Sequence, residues 1–279
     1  MSGTDPMRIL ITGSNSGFGR LTSLTLARQG HHVIATMRSL DKGAALREAA
    51  TAEGLEIELR ELDVCDPDSV ASAVSDPAEI DALVNNAGFE VQGAIEMIDD
   101  DLMHRQLDTN VLGPLRLIRA VMPTWRTRGH GVVVNVSSVV GRATSPFGGA
   151  YGASKHALEA MSEALYWEAS PAGIRVRVIE PGRFPATDFW SNIVRPEGWE
   201  GSEFEAKALS LRAALTALDA GEPSDPQLVA DAIAFAITDP DAPFRTVVGA
   251  DANLILSAKS SMSFEDFERA MRSTINWHE

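Results

Sequence analysis

The sequence predicts an α/β protein: one doubly wound domain built on a mainly parallel sheet. Three observations carry this. Short apolar runs rich in valine and isoleucine alternate with helical patterns along most of the 279 residues. The first run passes directly into a glycine-rich turn and then into a helix, as a strand–loop–helix unit does. The hydrophobic share, 44%, suits one large core.

Composition narrows the function classes. A formal net charge of −15 argues against nucleic acid and anionic membrane surfaces as partners. Cys65 is the single cysteine, so an intrachain disulfide and a cysteine-rich metal site are excluded. The six histidines show no metal-ligand spacing, and no metal is expected; His31 and His32, at a strand entrance, read as solvent-facing turn residues. Residues 1–6 lack a signal peptide's apolar core, and no apolar run reaches transmembrane length. A reducing, cytoplasmic setting is expected, with no internal repeat and a single domain over 1–279.

The first strand is 8–12, and Gly13, Gly17 and Gly19 follow it. Glycines there permit a tight turn and close backbone approach to a diphosphate at a helix N-terminus. The helical pattern runs to Gln29, and Gly30 stops it. The second strand, 32–38, ends in Arg38 with no acid beside it. Residues 41–53 read as a helix and 55–62 as the third strand, ending at Asp63-Val64. Asp63 is also placed to cap a helix beginning near Pro67. The fourth strand, 80–84, runs into Asn85-Asn86-Ala87-Gly88 at its carboxyl end, where ligands bind in such sheets.

A long helical pattern covers 99–126, with Asn110 inside it and Pro114 four residues on. Proline has no N–H for the Asn110 carbonyl and its ring crowds that carbonyl, while Gly113 loosens the same turn. The carbonyl is therefore expected to be free to bind water. A buried fifth strand, 131–136, leads to Ser137-Ser138. Tyr151 and Lys155 lie four residues apart at the start of a helix, which puts both on one face. A phenol is ordinarily a poor acid–base at neutral pH, and a neighbouring ammonium is expected to lower its pKa. The same helix, to 169, carries Ala157, Leu158, Met161, Ala164 and Leu165 as a core or interface stripe. The sixth strand, 174–179, ends at Pro181-Gly182. Residues 184–222 break the alternation with Phe184, Phe189, Trp190, Trp199 and Phe204 among Pro, Gly and acids, and read as a mobile substrate lid. A helix at 225–238, a strand at 245–248 and a partly helical extension, 250–279, complete the chain.

Thr12-Gly13-x-x-x-Gly17-x-Gly19, Asn85-Asn86-Ala87-Gly88, Ser138 and Tyr151-x-x-x-Lys155 resemble, in this order, the short-chain dehydrogenase/reductase family. The resemblance covers about residues 7–250, and the stretches 138–155 and 178–189 look most like its steroid and retinol dehydrogenase branch. It implies a Rossmann-type domain with a seven-stranded sheet and an NAD(P)-dependent oxidoreductase interconverting an alcohol and a ketone or aldehyde. It implies Tyr151 as the acid–base, Lys155 as the cation that tunes it and holds the nicotinamide ribose, and Ser138, not Ser137, facing the substrate carbonyl. Asn110 would support a water-linked proton relay. Around the cofactor it places Gly13, Ser16, Gly17, Phe18 and Gly19, then Asp63 on the adenine amine with Val64. Asn86, Ala87 and Gly88 follow, then Tyr151, Lys155, Pro181 and Gly182. Phe147, Phe184 and Phe189 are the expected substrate contacts, and the aromatic lid suggests an apolar small-molecule alcohol or carbonyl compound. The family motif Pro-Gly-x-x-x-Thr is one residue longer here, which leaves the role of Thr187 open.

Arg38 in place of an acid suits a 2′-phosphate, so NADP is expected over NAD. A homodimer or homotetramer is expected through 99–126 and 151–169 as in the family, the long tail favouring the dimer. Two other readings compete. A sugar-nucleotide epimerase or dehydratase shares Tyr-x-x-x-Lys but carries a different glycine spacing and a larger substrate domain. A non-catalytic NAD(P)-binding regulator could keep the glycine turn, but Ser138, Tyr151 and Lys155 together argue for chemistry.

Overall fold

A computed structural model of the protein describes residues 5–217, 224–274 and 277. Seven strands form one sheet: β1 Arg8–Ile11, β2 His32–Met37, β3 Ile57–Glu61, β4 Ala82–Asn85, β5 Gly131–Val136, β6 Ile174–Pro181 and β7 Arg245–Val248. Their order is β3-β2-β1-β4-β5-β6-β7, and every neighbouring pair is parallel. The chain thus winds outward twice from β1, first through β2 and β3 and then through β4. The point of reversal is a crevice between the carboxyl ends of β1 and β4, where such sheets bind ligands.

Both faces of the sheet are covered, which is why the central strands are continuously apolar. Ile9, Ile11, Ala35, Val84 and Val134 face one side. There they meet Leu24 and Leu26 of α1 (Gly17–Arg28) and Val229, Ile233 and Ile237 of α8 (Gln227–Thr238). The alternate residues Leu10, Ile34, Leu83, Val133 and Val176 face the other side. They pack on Val70 of α3 (Pro67–Ala73) and on Leu117, Val121 and Trp125 of α5 (Gly113–Arg128). The period-two register of the strands sorts the two cores.

The helix at 41–53 forms as a short 3₁₀ turn, Leu40–Gly43, followed by α2, Ala44–Ala52. The long run at 99–126 is helical throughout but not uniform. It divides into α4 (Asp100–Leu107), a π turn (Asp108–Leu112) and α5. The Gly113 N–H reaches back five residues to the Asp108 carbonyl. The wide turn sits where Gly113 and Pro114 interrupt the regular ladder. Asp66, not Asp63, caps α3, accepting the Asp68 N–H.

One expectation is corrected. His31 is buried, its Nδ1 accepts the Met7 N–H at 3.2 Å, and burial lowers its pKa; only His32 is exposed. Residues 184–222, read as a mobile substrate lid, hold a 3₁₀ turn, Asp188–Asn192, and a full helix, α7 (Glu203–Ala217), while Trp199 is only 2% exposed. Helix α7 escaped its pattern because apolar residues lie on both sides of it: Leu211 is buried and Leu209 is 60% exposed. Residues 218–222 fall outside the described residues. The extension forms α9 (Ala250–Ser261) and α10 (Phe264–Thr274). Among the described residues no helix is long and apolar enough to cross a membrane.

Candidate active site

A cavity of about 1050 Å³ runs from the crevice between β1 and β4 to the space under α7 and the extension. At the crevice end, Gly13 has φ +70° and Gly17 φ +52°, conformations that glycine adopts without strain. A Cβ on Gly19 would lie 2.3 Å from the Gly13 carbonyl oxygen, so the turn closes only with glycine there. Ser16 stands at the N-cap of α1 without a side-chain capping bond, leaving the helix's first N–H groups facing the cavity mouth. This cradle fits a diphosphate at a helix N-terminus. Ser16 and Phe18 line it with the glycines. Thr187, whose role was open, lies against it, 3.8 Å from a Cβ built on Gly17.

The neighbouring elements are stitched to this turn. Thr12 Oγ1 accepts the N–H groups of Asn86 and Ala87, both at 2.9 Å, and Asn86 Nδ2 donates to the Thr12 carbonyl at 2.8 Å. Asn85 and Asn135 bond across β4 and β5 at 2.8 Å, and Asn135 continues to Ser162. Asp63 and Val64 border the cavity. The Asp63 carboxylate accepts the Cys65 N–H at 2.9 Å and takes no part in capping α3. Arg38 is exposed at the end of β2 and borders the same space, joined by Lys42, which the sequence reading did not single out. Asp41 is not among the lining residues.

Just past the carboxyl end of β5, Ser138 caps a 3₁₀ turn, Val139–Gly141, and its Oγ accepts the Val140 N–H at 3.3 Å. Ser137 lines the cavity wall, whereas Ser138 does not; the Ser138 hydroxyl donates to the Pro181 carbonyl at 3.4 Å and influences the Tyr151 phenol. Tyr151 and Lys155 both sit in the first turns of α6 (Gly149–Ala169) and face the cavity. Lys155 is 5% exposed; its Nζ donates to the Val136 carbonyl at 2.8 Å and lies 5.6 Å from the Tyr151 ring centre.

The electrostatics correct one expectation. Burial raises the Tyr151 pKa above the usual phenol value, the Glu90 charge adds to the rise, and Ser138 opposes it. Burial also pushes the Lys155 ammonium down to about 8, against the pull of Glu159. Desolvation therefore dominates, and the phenol is held protonated at neutral pH.

Asn110 occupies the π turn and is 1% exposed. Its Oδ1 accepts the Phe89 N–H at 3.2 Å, and its Nδ2 donates to the Phe89 carbonyl at 3.0 Å and to Ser154 Oγ at 3.1 Å. It does not line the cavity; it clamps the loop that does. Gln106, one helical turn earlier, grips the same loop through Val91 N–H at 2.6 Å and the Phe89 carbonyl at 2.8 Å.

The far end is aromatic. Phe147 is the one described non-glycine residue at positive φ, +61°, and it gathers Trp199, Phe204 and Trp277 edge-on around itself at 5.6–6.3 Å. Phe189 meets the Tyr151 ring at 5.7 Å. Phe184 borders the cavity but belongs mainly to the core, 3% exposed and edge-on to Phe18 at 5.3 Å. Sequence reasoning missed the contribution of the extension: Phe267 and Met271 of α10, with Trp277, close this end. It also passed over Glu90 in Phe89-Glu90-Val91, although a carboxylate flanked by apolar residues just after Asn-Asn-Ala-Gly was a readable signal.

The glycine cradle, the Ser138–Tyr151–Lys155 cluster and the all-parallel sheet match a known pattern, and comparison decides it. The sequence profile described as short chain dehydrogenase matches residues 7–198. The chain belongs to the short-chain dehydrogenase family. It is an oxidoreductase acting on CH–OH donors with a nicotinamide cofactor. It is 32% identical to a 3-ketodihydrosphingosine reductase from Bacteroides thetaiotaomicron, over 92% of this chain and 93% of that one. It is 39% identical to retinol dehydrogenase 8 of Bos taurus, over 63% of this chain and 59% of that protein's length. A short-chain dehydrogenase structure from Streptomyces avermitilis superposes with TM-score 0.79 at 32% identity, covering 96% of each chain.

Proposed function

We propose that this short-chain dehydrogenase interconverts an apolar alcohol and its ketone or aldehyde, with NADP favoured over NAD. One observation supports the reading: Tyr151 and Lys155 face a cavity continuous with the glycine cradle and walled at its far end by aromatic side chains, and Ser138 acts on the Tyr151 phenol from behind the wall. The nicotinamide, when bound, gives or takes the hydride at the carbonyl carbon. Everything else falls to the chain. In reduction, the protonated Tyr151 phenol donates its proton to the carbonyl oxygen. Ser138 Oγ–H, beside the phenol, stabilises the charge that develops on that oxygen. Lys155 keeps a cation next to the phenolate left behind. Asn110 holds the Phe89 loop and Ser154, fixing the wall against which the substrate sits. The Phe147 cluster excludes water from the far end. Phe147, Phe189 and Phe184 are the proposed apolar contacts. A panel of carbonyl compounds and alcohols, followed by nicotinamide absorbance with both cofactors, tests the reading; no turnover on any member would reject it.

Cofactor choice rests on the end of β2. Arg38 and Lys42 border the cavity there and Asp41 does not, so two cations stand where a 2′-phosphate would lie. A hydrogen bond to a charged group contributes about 1.5–3 kcal/mol, and solvent exposure places Arg38 in the lower half. Arg38→Ala is expected to weaken NADP roughly ten- to fortyfold by calorimetry, leave NAD nearly unchanged, and make the remaining preference less salt-sensitive. Equal weakening of both cofactors would remove Arg38 as the phosphate reader.

We further infer a cytoplasmic homodimer assembled through α4–α5 and α6. Trp167 on α6 is 71% exposed and Leu112, between α4 and α5, 43% exposed, large apolar residues on the two elements concerned. Light scattering at micromolar concentration is expected to give twice the 29.9 kDa chain mass; a monomer would contradict the assignment.

A further inference from the structure

Glu90 has no role in the chemistry above, yet it stands in the same cavity as Tyr151. Its charge reaches the phenol strongly enough to shift it. The backbone that carries it is braced from several directions. Val194 N–H donates to the Glu90 carbonyl at 2.9 Å, and Gln92 N–H donates to the Val194 carbonyl at 2.9 Å. Gln106 and Asn110 fix Phe89 and Val91 on either side. Gly93 N–H is held by the Phe147 carbonyl at 3.0 Å. The carboxylate is therefore presented from a rigid support, not from a loose loop.

Its side chain makes no hydrogen bond within the described residues. The one opposing charge that acts on it is Arg195, which is exposed and hydrogen-bonds Gln92 at 3.4 Å. Burial raises the Glu90 carboxyl to about 7. Glu90 is half-buried in the cavity wall, so a bound molecule would displace the remaining water from its carboxylate. Desolvating a carboxylate without a partner is costly; a bound molecule that supplies a donor recovers that cost, and one that lacks a donor does not. Such sites reject analogues without the donor far more strongly than a purely apolar pocket rejects a missing methylene.

We propose that Glu90 is a specificity-determining residue. It accepts a hydrogen bond from an amine or hydroxyl close to the reacting carbonyl, so the preferred substrate is an apolar carbonyl compound carrying such a donor. The apolar remainder would lie along the Phe147–Trp277 end of the cavity. This rests on Tyr151 marking the reacting end, as proposed above.

The test uses three ketones of equal chain length: one with an amine beside the carbonyl, one with a hydroxyl there, and one unsubstituted. Purified wild type, Glu90→Gln and Glu90→Leu are compared, with NADP binding and melting temperature verifying that each variant is folded. Wild type should favour the donor-bearing ketones roughly tenfold or more in kcat/KM. Glu90→Gln keeps an acceptor without charge, so the amine advantage should fall while part of the hydroxyl advantage survives. Glu90→Leu should bring both ratios close to one. Ratios unaltered in both variants, or a uniform loss on all three ketones, would overturn the proposal. A second readout separates this inference from the reading of the reaction. Quenching of tryptophan fluorescence by the same ketones is measured on Tyr151→Phe and on Tyr151→Phe combined with Glu90→Leu. Tighter binding of the donor-bearing ketones that disappears with Glu90 supports the proposal even if none is turned over. Equal binding of all three to Tyr151→Phe rejects it, whatever the enzyme reduces.

Discussion

Tyr151→Phe is expected to lower turnover by on the order of a hundredfold or more, with fold and cofactor binding retained. The change removes one oxygen and keeps the ring. The ring's packing, 5.7 Å from Phe189 and 5.6 Å from the Lys155 ammonium, does not depend on that oxygen. What is lost is the phenol O–H, the proposed proton donor, at the cavity wall. Lys155 Nζ lies 5.6 Å from the ring centre and donates to the Val136 carbonyl at 2.8 Å. Calorimetric NADP affinity close to wild type, together with collapsed kcat, is the expected pair of results. Near-normal kcat in a folded Tyr151→Phe protein would end the acid–base assignment. The raised phenol pKa sharpens the expectation for reduction, where the protonated form is the reactant.

Trp125→Ala should destabilise the fold by about 3–5 kcal/mol. Trp125 is fully buried between α5 and the start of β5, and its Nε1 donates to the Ile80 carbonyl at 2.8 Å. The ring lies so close to the backbone that a Cβ on Gly131 would stand 2.3 Å from it. Deleting it opens a cavity that the paired strands β4, β5 and β6 cannot collapse into. The Ile80 carbonyl is not abandoned, since Arg128 also donates to it at 2.7 Å. The loss is therefore mainly one of packing. Urea unfolding with an unchanged m-value checks this, and Trp125→Phe should recover more than half of the loss. A shift under 1 kcal/mol for Trp125→Ala would mean that the α5–β5 contact contributes far less than its burial implies.

Much of the site was legible because its chemistry needs particular residue types at fixed local spacings. The Gly13–Gly19 turn requires residues that tolerate positive φ and close approach, so the glycines announce it. Tyr151 and Lys155 share one helix, so their common face follows from helical periodicity alone. Asn110 was marked by Pro114, and the π turn formed at that place. Helix α7 and the tail's reach into the cavity were not legible, although the helical character of the tail was. Helix α7 carries apolar residues on both sides, and its pattern shows no single face. Phe267, Met271 and Trp277 reach the cavity from more than a hundred residues beyond Tyr151, a distance no local pattern spans.

The sequence by itself determined the strand–helix alternation, the parallel sheet, the glycine-rich turn and the common helix face of Tyr151 and Lys155. These follow from backbone freedom, hydrophobic period and side-chain chemistry, which are properties of neighbours along the chain. Only the tertiary structure decided the direction of the Tyr151 pKa. The sequence shows an ammonium four residues away, but burial by elements distant in the chain, with Glu90 brought close, outweighs it. It likewise turned Asn110 into a clamp on Phe89 and gave Glu90 its place in the cavity that Tyr151 faces. Desolvation and charge proximity depend on what packs around a group, and that is fixed only when the whole chain has folded.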